Sequence, residues 1–392
     1  MALDSDLVGR VRRRLTDSAA AATQLAVMDA VRAEPTRAPL GGTTLLMLSG
    51  RLHDELAGAG PLGALLADPM VTDVVVNGPA EVWVDRGAGM VRTAVTFPDV
   101  DSVRRLAQRL AASCQRRLDD ASPYVDARLP DGTRLHAVLP PVAVHGPYLS
   151  LRTFRHRAFA LDELVAAGCL TTDAARLVSA LVRARLAYLV TGGTGSGKTT
   201  MLATMLGLVT HHERIVIVED ATELRPAHPH VVALQARLSN VEGVGAVTMR
   251  DLVRQAMRMR PDRLVVGECR GAEIVDLLGA LNTGHEGGAG TLHANTAADV
   301  PARLEALGLL GGLPRDALHA QVAAGLQVVL QMSRVPVLGR SLEEICLLLP
   351  AGAGQLVRSV SAWRRRGGAG EALPELANLL AARGVELPSD LR

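Results

Sequence analysis

The sequence predicts an α/β protein: a largely parallel sheet with flanking helices, preceded by a smaller α+β domain. Three observations carry this expectation. Beyond about residue 155 the apolar runs "AYLV", "RIVIVED", "VVALQA", "RLVVGE" and "AGTLHA" alternate with helical segments, and such alternation builds a helix-covered parallel sheet. Before that point "VTDVVVNG", "EVWVDRG" and "MVRTAVTF" are short β-rich runs parted by Gly and Pro turns. Between the first strand and the next helix of the later region stands "TGGTGSGKTT", residues 191 to 200, which holds Lys198, the only lysine of the chain.

Taken in order, residues 1 to 42 read as an Ala/Arg-rich helical extension closed by "EPTRAPLGG", whose Pro and Gly break a helix. From Thr43 to Ala67 apolar residues recur at helical spacing, and the three β-rich runs follow. A helix over Asp99 to Ala112 and a hairpin over "LPDGTRLHAV", turning at Asp131 and Gly132, belong to the same small domain, residues 43 to 155. "YLSLRTFRHRAFALDEL" reads as its last strand, a connector and the start of a helix. Residues 156 to 350 form the second domain, with helices predicted over Thr248 to Met259 and Ala272 to Leu281. Residues 351 to 392 are expected to be a helical tail, since "ALPELANLLAARG" is their amphipathic stretch.

A chain of 392 residues exceeds one ordinary core, which suggests two domains plus extensions. Its 48% hydrophobic and 21% charged residues suit a soluble globular protein, and runs such as "ICLLLP" stop short of the ~20 residues a membrane span needs. Arg10, Arg12, Arg13 and Arg14 are not followed by the apolar core of a secretory signal. Cys114, Cys169, Cys269 and Cys346 lie too far apart for a disulfide framework or a zinc ribbon. A cytoplasmic protein is expected. Formal net charge of +2 does not call for a polyanion, and 2% aromatic residues leave few rings for bases, so no direct nucleic-acid contact is expected.

Gly192, Gly197, Lys198 and Thr199 match G-x-x-x-x-G-K-[ST] between a strand and a helix, the context in which that motif forms a phosphate-binding loop. Within it Gly192, Gly193, Thr194, Gly195, Ser196 and Gly197 let backbone N–H groups curl around phosphate oxygens, while Lys198, Thr199 and Thr200 open the helix. Lysine offers a compact ammonium on a flexible stem, whereas the arginine fork is too wide and rigid for that curl. In a chain that otherwise uses only arginine, geometry explains why this lysine persists. Thr199 would place its hydroxyl on Mg²⁺, and the expected ligands are ATP and Mg²⁺.

Hydrolysis needs a carboxylate that orients water and shapes the Mg²⁺ shell. "RLVVGECRG" is a strand ending at Glu268, the expected base, with Gly267 where many such enzymes carry aspartate. "RIVIVEDATEL" delivers Glu219, Asp220 and Glu223 at another strand end, where ligands of open α/β sheets bind, and Glu219 is expected as a second water or Mg²⁺-shell acid. Thr199, Glu219 and Glu268 thus form the expected Mg²⁺ set, reached in part through water. "TGHEGGAGTLHANT" places His285 and His293 around a Gly-rich bend; lacking a Cys or third His at ligand spacing, the pair suits phosphate or inter-subunit sensing better than zinc.

These motifs resemble the secretion-superfamily traffic ATPases, the hexameric motors of type II and type IV secretion and of pilus assembly, and in particular the TadA/CpaF-like tight-adherence pilus branch. The resemblance covers about residues 55 to 335: "VTDVVVNGPAEVWVDR", "SPYVDARLPDGTRLHAVLPPVA", the Walker A loop, the Asp box "VIVEDATEL", the atypical Walker B "RMRPDRLVVGECRGAE" and the His box "TGHEGGAGTLHANT". It implies a RecA-like P-loop NTPase core, with Glu268 as Walker-B glutamate, Glu219 as Asp-box acid and His285 and His293 as His-box pair. By the same resemblance Gly267 is the norm, Arg152 and Arg155 of "LSLRTFR" match positions that reach the nucleotide, and Arg225 and Arg270 are further candidates. Cys269 departs from the usual valine, and "ASCQRRLDD" has Cys-Gln where glycine before the Arg pair is common. Neither removes a catalytic group. The missing C-x-x-C pairs argue against the branch with a zinc-binding insertion.

The function so implied is Mg-dependent ATP hydrolysis by a ring-forming motor, a homo-hexamer peripheral to the inner face of the cytoplasmic membrane, that powers pilus assembly or protein secretion through an inner-membrane platform protein. A conjugal-transfer ATPase acting in nucleic-acid translocation is the alternative, since it shares the nucleotide core. Glu219 and Glu268 speak against a scaffold that binds nucleotide without hydrolysing it.

Overall fold

The computed structural model describes residues 10–11, 13–14, 24–34, 42, 48–50, 52, 58–87, 89–153, 158–237, 244–335, 339–351 and 356–391. Two compact units divide the chain, Met1–Arg155 and His156–Arg392, and each is built on its own sheet. The expected N-terminal extension and the helix over Thr43 to Ala67 lie largely outside the described residues, apart from the helices Gln24–Arg32 and Gly63–Ala67.

The first unit carries six antiparallel strands: β1 (Asp73–Gly78), β2 (Glu81–Asp85), β3 (Met90–Arg92), β4 (Tyr124–Arg128), β5 (Arg134–Val138) and β6 (Tyr148–Arg152). They lie in the order β3-β2-β1-β6-β5-β4. Alternation directs Val74, Val76, Val82, Val84, Leu149 and Leu151 into one core, which the helix Val100–Ser113 closes with Val103, Leu106, Ala107 and Leu110. Asp99 caps that helix by accepting from the Ser102 N–H at 2.6 Å. Between β4 and β5 the chain turns through Asp131 and Gly132, whose φ of +93° only glycine adopts without strain.

In the second unit β7 (Tyr188–Thr191), β8 (Ile215–Glu219), β9 (Val231–Gln235), β10 (Arg263–Cys269), β11 (Ala289–Leu292) and β12 (Val328–Val335) pair in parallel, in the order β12-β7-β11-β10-β8-β9. Every residue of β7, β8 and β11 is buried, as a parallel sheet covered on both faces requires. One face packs under the helices Thr172–Arg183, Lys198–Gly207 and Leu373–Ala382. The other lies under Met249–Ala256, Glu273–Leu281, Val300–Leu310 and Arg315–Gly325.

Beyond β12 the sheet continues antiparallel through β13 (Gly339–Ala351), β14 (Leu356–Arg364) and β15 (Gly368–Ala369). This corrects the expected helical tail. Leu356–Arg364 is a strand, and Trp363 is buried there with its Nε1 donating to Asp173 at 2.6 Å. Only Leu373–Ala382 of that segment is an α-helix among the described residues. At the opposite end of the sheet from the phosphate loop, buried Arg263 opens β10 and pairs with Glu213 at 2.8 Å, while its Nη2 donates to Val182 O at 3.1 Å.

Candidate active site

The site begins where β7 ends. Gly192 has φ +147°, and a Cβ there would stand 2.4 Å from Met332 O of β12, so the loop can leave the strand only as glycine. Gly195 and Gly197 follow with φ of +72° and +97°, and Gly197 caps the helix that Lys198 opens. Unsatisfied N–H groups of its first turn therefore face the curl of the loop. Ser196 Oγ is buried there without a hydrogen-bond partner among the described residues. Left-handed glycines, a helix N-terminus and an orphaned buried hydroxyl together fit a polyphosphate.

Lys198 is 8% exposed, and its Nζ donates to Gly192 O and Gly193 O, each at 3.0 Å. A third direction meets His293 Nδ1 at 3.5 Å. Burial lowers the lysine pKa, opposed by the negative charge of Glu268. Because an ammonium only donates, His293 Nδ1 accepts, and the ring proton of the neutral imidazole sits on Nε2. Burial first, then the Lys198 charge, hold His293 below the ordinary imidazole pKa.

Glu268, near the end of β10, is the centre of this chain of charges. Its Oε2 accepts from Arg270 Nη2 at 2.5 Å, and Arg270 Nη1 reaches Asp220 at 3.1 Å. Oε1 lies 2.6 Å from His293 Nε2 yet forms no hydrogen bond among the described residues, so this buried oxygen retains acceptor capacity. An acceptor of that kind, a few ångströms from the phosphate-loop lysine's neighbour, can take a proton from water.

Glu219 is 3% exposed, and its Oε1 accepts from the backbone N–H groups of Glu223 and Leu224 at 2.9 and 3.0 Å, bracing the turn after β8. Its Cγ fills the space a Cβ on Gly267 would need, at 2.5 Å. Glycine at 267 is thus a packing consequence of the Glu219 side chain. From the same segment it is Glu223 whose charge acts on both Lys198 and Arg270. As the last residue of a strand buried at every position, Glu219 is directed into the sheet, a signal that could have separated the two acids.

The other expected residues distribute unevenly. Arg270 and His293 join the cluster, whereas His285 stays at the end of the helix Glu273–Leu281, its Nδ1 3.3 Å from Ala280 O. Arg225 is exposed beyond the braced turn, Arg152 ends β6 of the first unit, and Arg155 lies outside the described residues. Sequence reasoning did not single out Gln331, buried on β12. It accepts from Thr191 Oγ1 at 2.5 Å and donates to Asn295 O at 2.9 Å, tying the root of the loop to the chain beyond β11. Among the described residues no group of three or more His, Cys, Asp and Glu could by itself hold a metal, so a divalent cation here would depend on ligand oxygens.

Residues 55–360 match the model of a family described as "Type II/IV secretion system protein". Among similar curated proteins, "Putative conjugal transfer protein Rv3659c" of Mycobacterium tuberculosis is 55% identical over 350 residues, covering 88% of this chain and 99% of that protein. Conjugal transfer protein TrbB of Rhizobium radiobacter is 31% identical over 315 residues, covering 79% and 88%. Of the solved structures, that of the pilus retraction motor PilT with bound ADP has a TM-score of 0.52 at 20% identity, covering 74% of this chain and 82% of the other, a likeness of fold.

Proposed function

Since the chain belongs to the Type II/IV secretion system protein family and is a P-loop ATPase of that family, we propose that it is a ring-forming motor whose ATP hydrolysis drives a membrane transfer machine of the conjugation class. The observation that carries this reading is the near end-to-end similarity to a protein named for conjugal transfer, joined to the Lys198, His293 and Glu268 cluster. The tight-adherence pilus reading shares the same nucleotide chemistry and differs in cargo; the named relatives favour conjugal transfer. A net charge of +2 and the scarcity of aromatic rings favour contact with protein parts of the machine over contact with nucleic acid.

In this reading Lys198 and the loop N–H groups bind the triphosphate, and Thr199, with Glu268 through water, would hold Mg²⁺. Bound Mg²⁺ supplies charge neutralisation at the β- and γ-phosphoryl oxygens. Glu219, the third expected ligand, also braces the turn that carries Glu223. Water attacks the γ-phosphorus as its bond to the β–γ bridging oxygen breaks, and the proton of that water passes to Glu268 Oε1. Arg270 fixes the other carboxylate oxygen and orients the base. His293 links the base to the lysine, so the two ends of the triphosphate site are set together. Arginines of the first unit, Arg152 and Arg155, are proposed to add charge from their own or a neighbouring subunit of a hexamer, beneath a membrane platform protein.

The test is genetic and structural in readout. Cells in which the chromosomal copy carries Glu268→Gln should lose conjugal transfer while surface pili remain visible by electron microscopy. Loss of pili with transfer intact would move the motor to the pilus branch.

A further inference from the structure

Two arginines stand opposite one another in the antiparallel pairing of β12 with β13: Arg334 pairs with Arg340, and both side chains are exposed. Like charges directly opposite in such a pair repel. The hairpin brings the pair to the phosphate loop. Arg340 Nε donates to Gly195 O at 2.9 Å, and its Cδ lies 3.2 Å from where a Cβ on Gly197 would stand. Arg334 Nη1 comes within 3.7 Å of the corresponding position on Gly195. Two residues before Arg334 on the same strand, Met332 O closes against Gly192. The same hairpin therefore forms a wall of the loop and carries two guanidinium groups on its rim, while Lys198 occupies the inside.

We propose that Arg334 and Arg340 form a second cationic clamp that binds the polyphosphate of the nucleotide held by the loop of the same chain. The proposal rests on the ATPase reading of the site. A guanidinium presents paired N–H donors that match two phosphate oxygens, and an anion between the two side chains converts their repulsion into shared attraction. Unlike arginines of a neighbouring subunit, this pair comes with the loop itself, so its contribution does not depend on ring assembly. Phosphate number is then the recognised quantity: ATP, ADP and inorganic pyrophosphate engage the clamp, and AMP does so least.

Calorimetry on the full chain with Mg-ADP, Mg-ATP and pyrophosphate at low and high salt provides the test, with thermal melting as the folding control. Arg334→Ala and Arg340→Ala should each raise Kd for ADP and pyrophosphate about tenfold, the size of a lost charge-assisted contact. The double variant should also bind with a weaker dependence on salt, and Arg334→Lys should recover part of the loss. Affinities within twofold of wild type in folded variants would overturn the proposal. So would a loss confined to Arg340→Ala, because its bond to Gly195 O would suffice to explain it. Wild-type protein that binds no nucleotide would instead overturn the ATPase reading beneath it.

Discussion

Lysine and arginine carry the same charge, so at position 198 only shape distinguishes them. The pocket that surrounds Nζ offers two carbonyl oxygens at 3.0 Å and an imidazole nitrogen at 3.5 Å, with the residue 8% exposed. A planar guanidinium cannot point three ways into that space. Lys198→Arg should therefore lower ATP turnover by about 100-fold or more, the size seen when a preorganised donor is lost, and wild-type turnover would refute the geometric reading. The histidine beside it sets a pH effect. In the unfolded chain His293 takes a proton near pH 6.5, whereas the folded site resists it because of burial and Lys198. Folded stability then falls as pH drops from about 6.5 through the lowered folded value, and His293 contributes nothing to the pH dependence above that range. His293→Gln should shrink the loss of denaturant midpoint between about pH 7.5 and 5.5; an equal loss in both proteins would contradict this. Lys198, Glu268, Arg270 and His293 were legible as single letters in motifs. The division of labour between Glu219 and Glu223 was not, because it depends on which way the last residue of a buried strand points. Nor were Arg334 and Arg340, which become neighbours only through strand register.

At the scale of elements, the site is held by strand ends whose close approach leaves no room for side chains. Gly267→Asp, which would install the acid common in other phosphate-loop enzymes, places a Cβ 2.5 Å from Glu219 Cγ between β8 and β10. Overpacking of this kind costs about 1–3 kcal/mol, and Tm should fall by at least about 3 °C. An unchanged Tm would mean that Glu219 moves aside freely. The far end of the sheet depends on Arg263, 2% exposed and paired with Glu213. Arg263→Ala leaves that buried carboxylate with the half-exposed Arg185 and a hydrogen bond to Thr210, and should cost about 3 kcal/mol in chemical denaturation. A cost below about 0.5 kcal/mol would show that Arg185 suffices. The parallel strands were readable from sequence because burial on both faces leaves continuous apolar runs between Gly and Pro. β14 escaped notice since "LVRSVSAWR" lies beside Gly-rich segments and finds its cover in distant residues such as Asp173.

For the whole molecule, the two units follow different rules: an antiparallel sheet with one helix-covered face, and a mixed sheet covered on both. Nucleotide chemistry gathers in the second unit, at the carboxyl ends of β7, β8 and β10, where ligands bind in open α/β sheets. Hydrolysis by Glu268 is the claim on which the motor depends, and paired calorimetry and phosphate-release assays on wild type and Glu268→Gln test it most directly. The account predicts that the variant binds Mg-ATP as tightly as wild type and releases phosphate about 100-fold more slowly or worse. A variant that turns over ATP at the wild-type rate would contradict it.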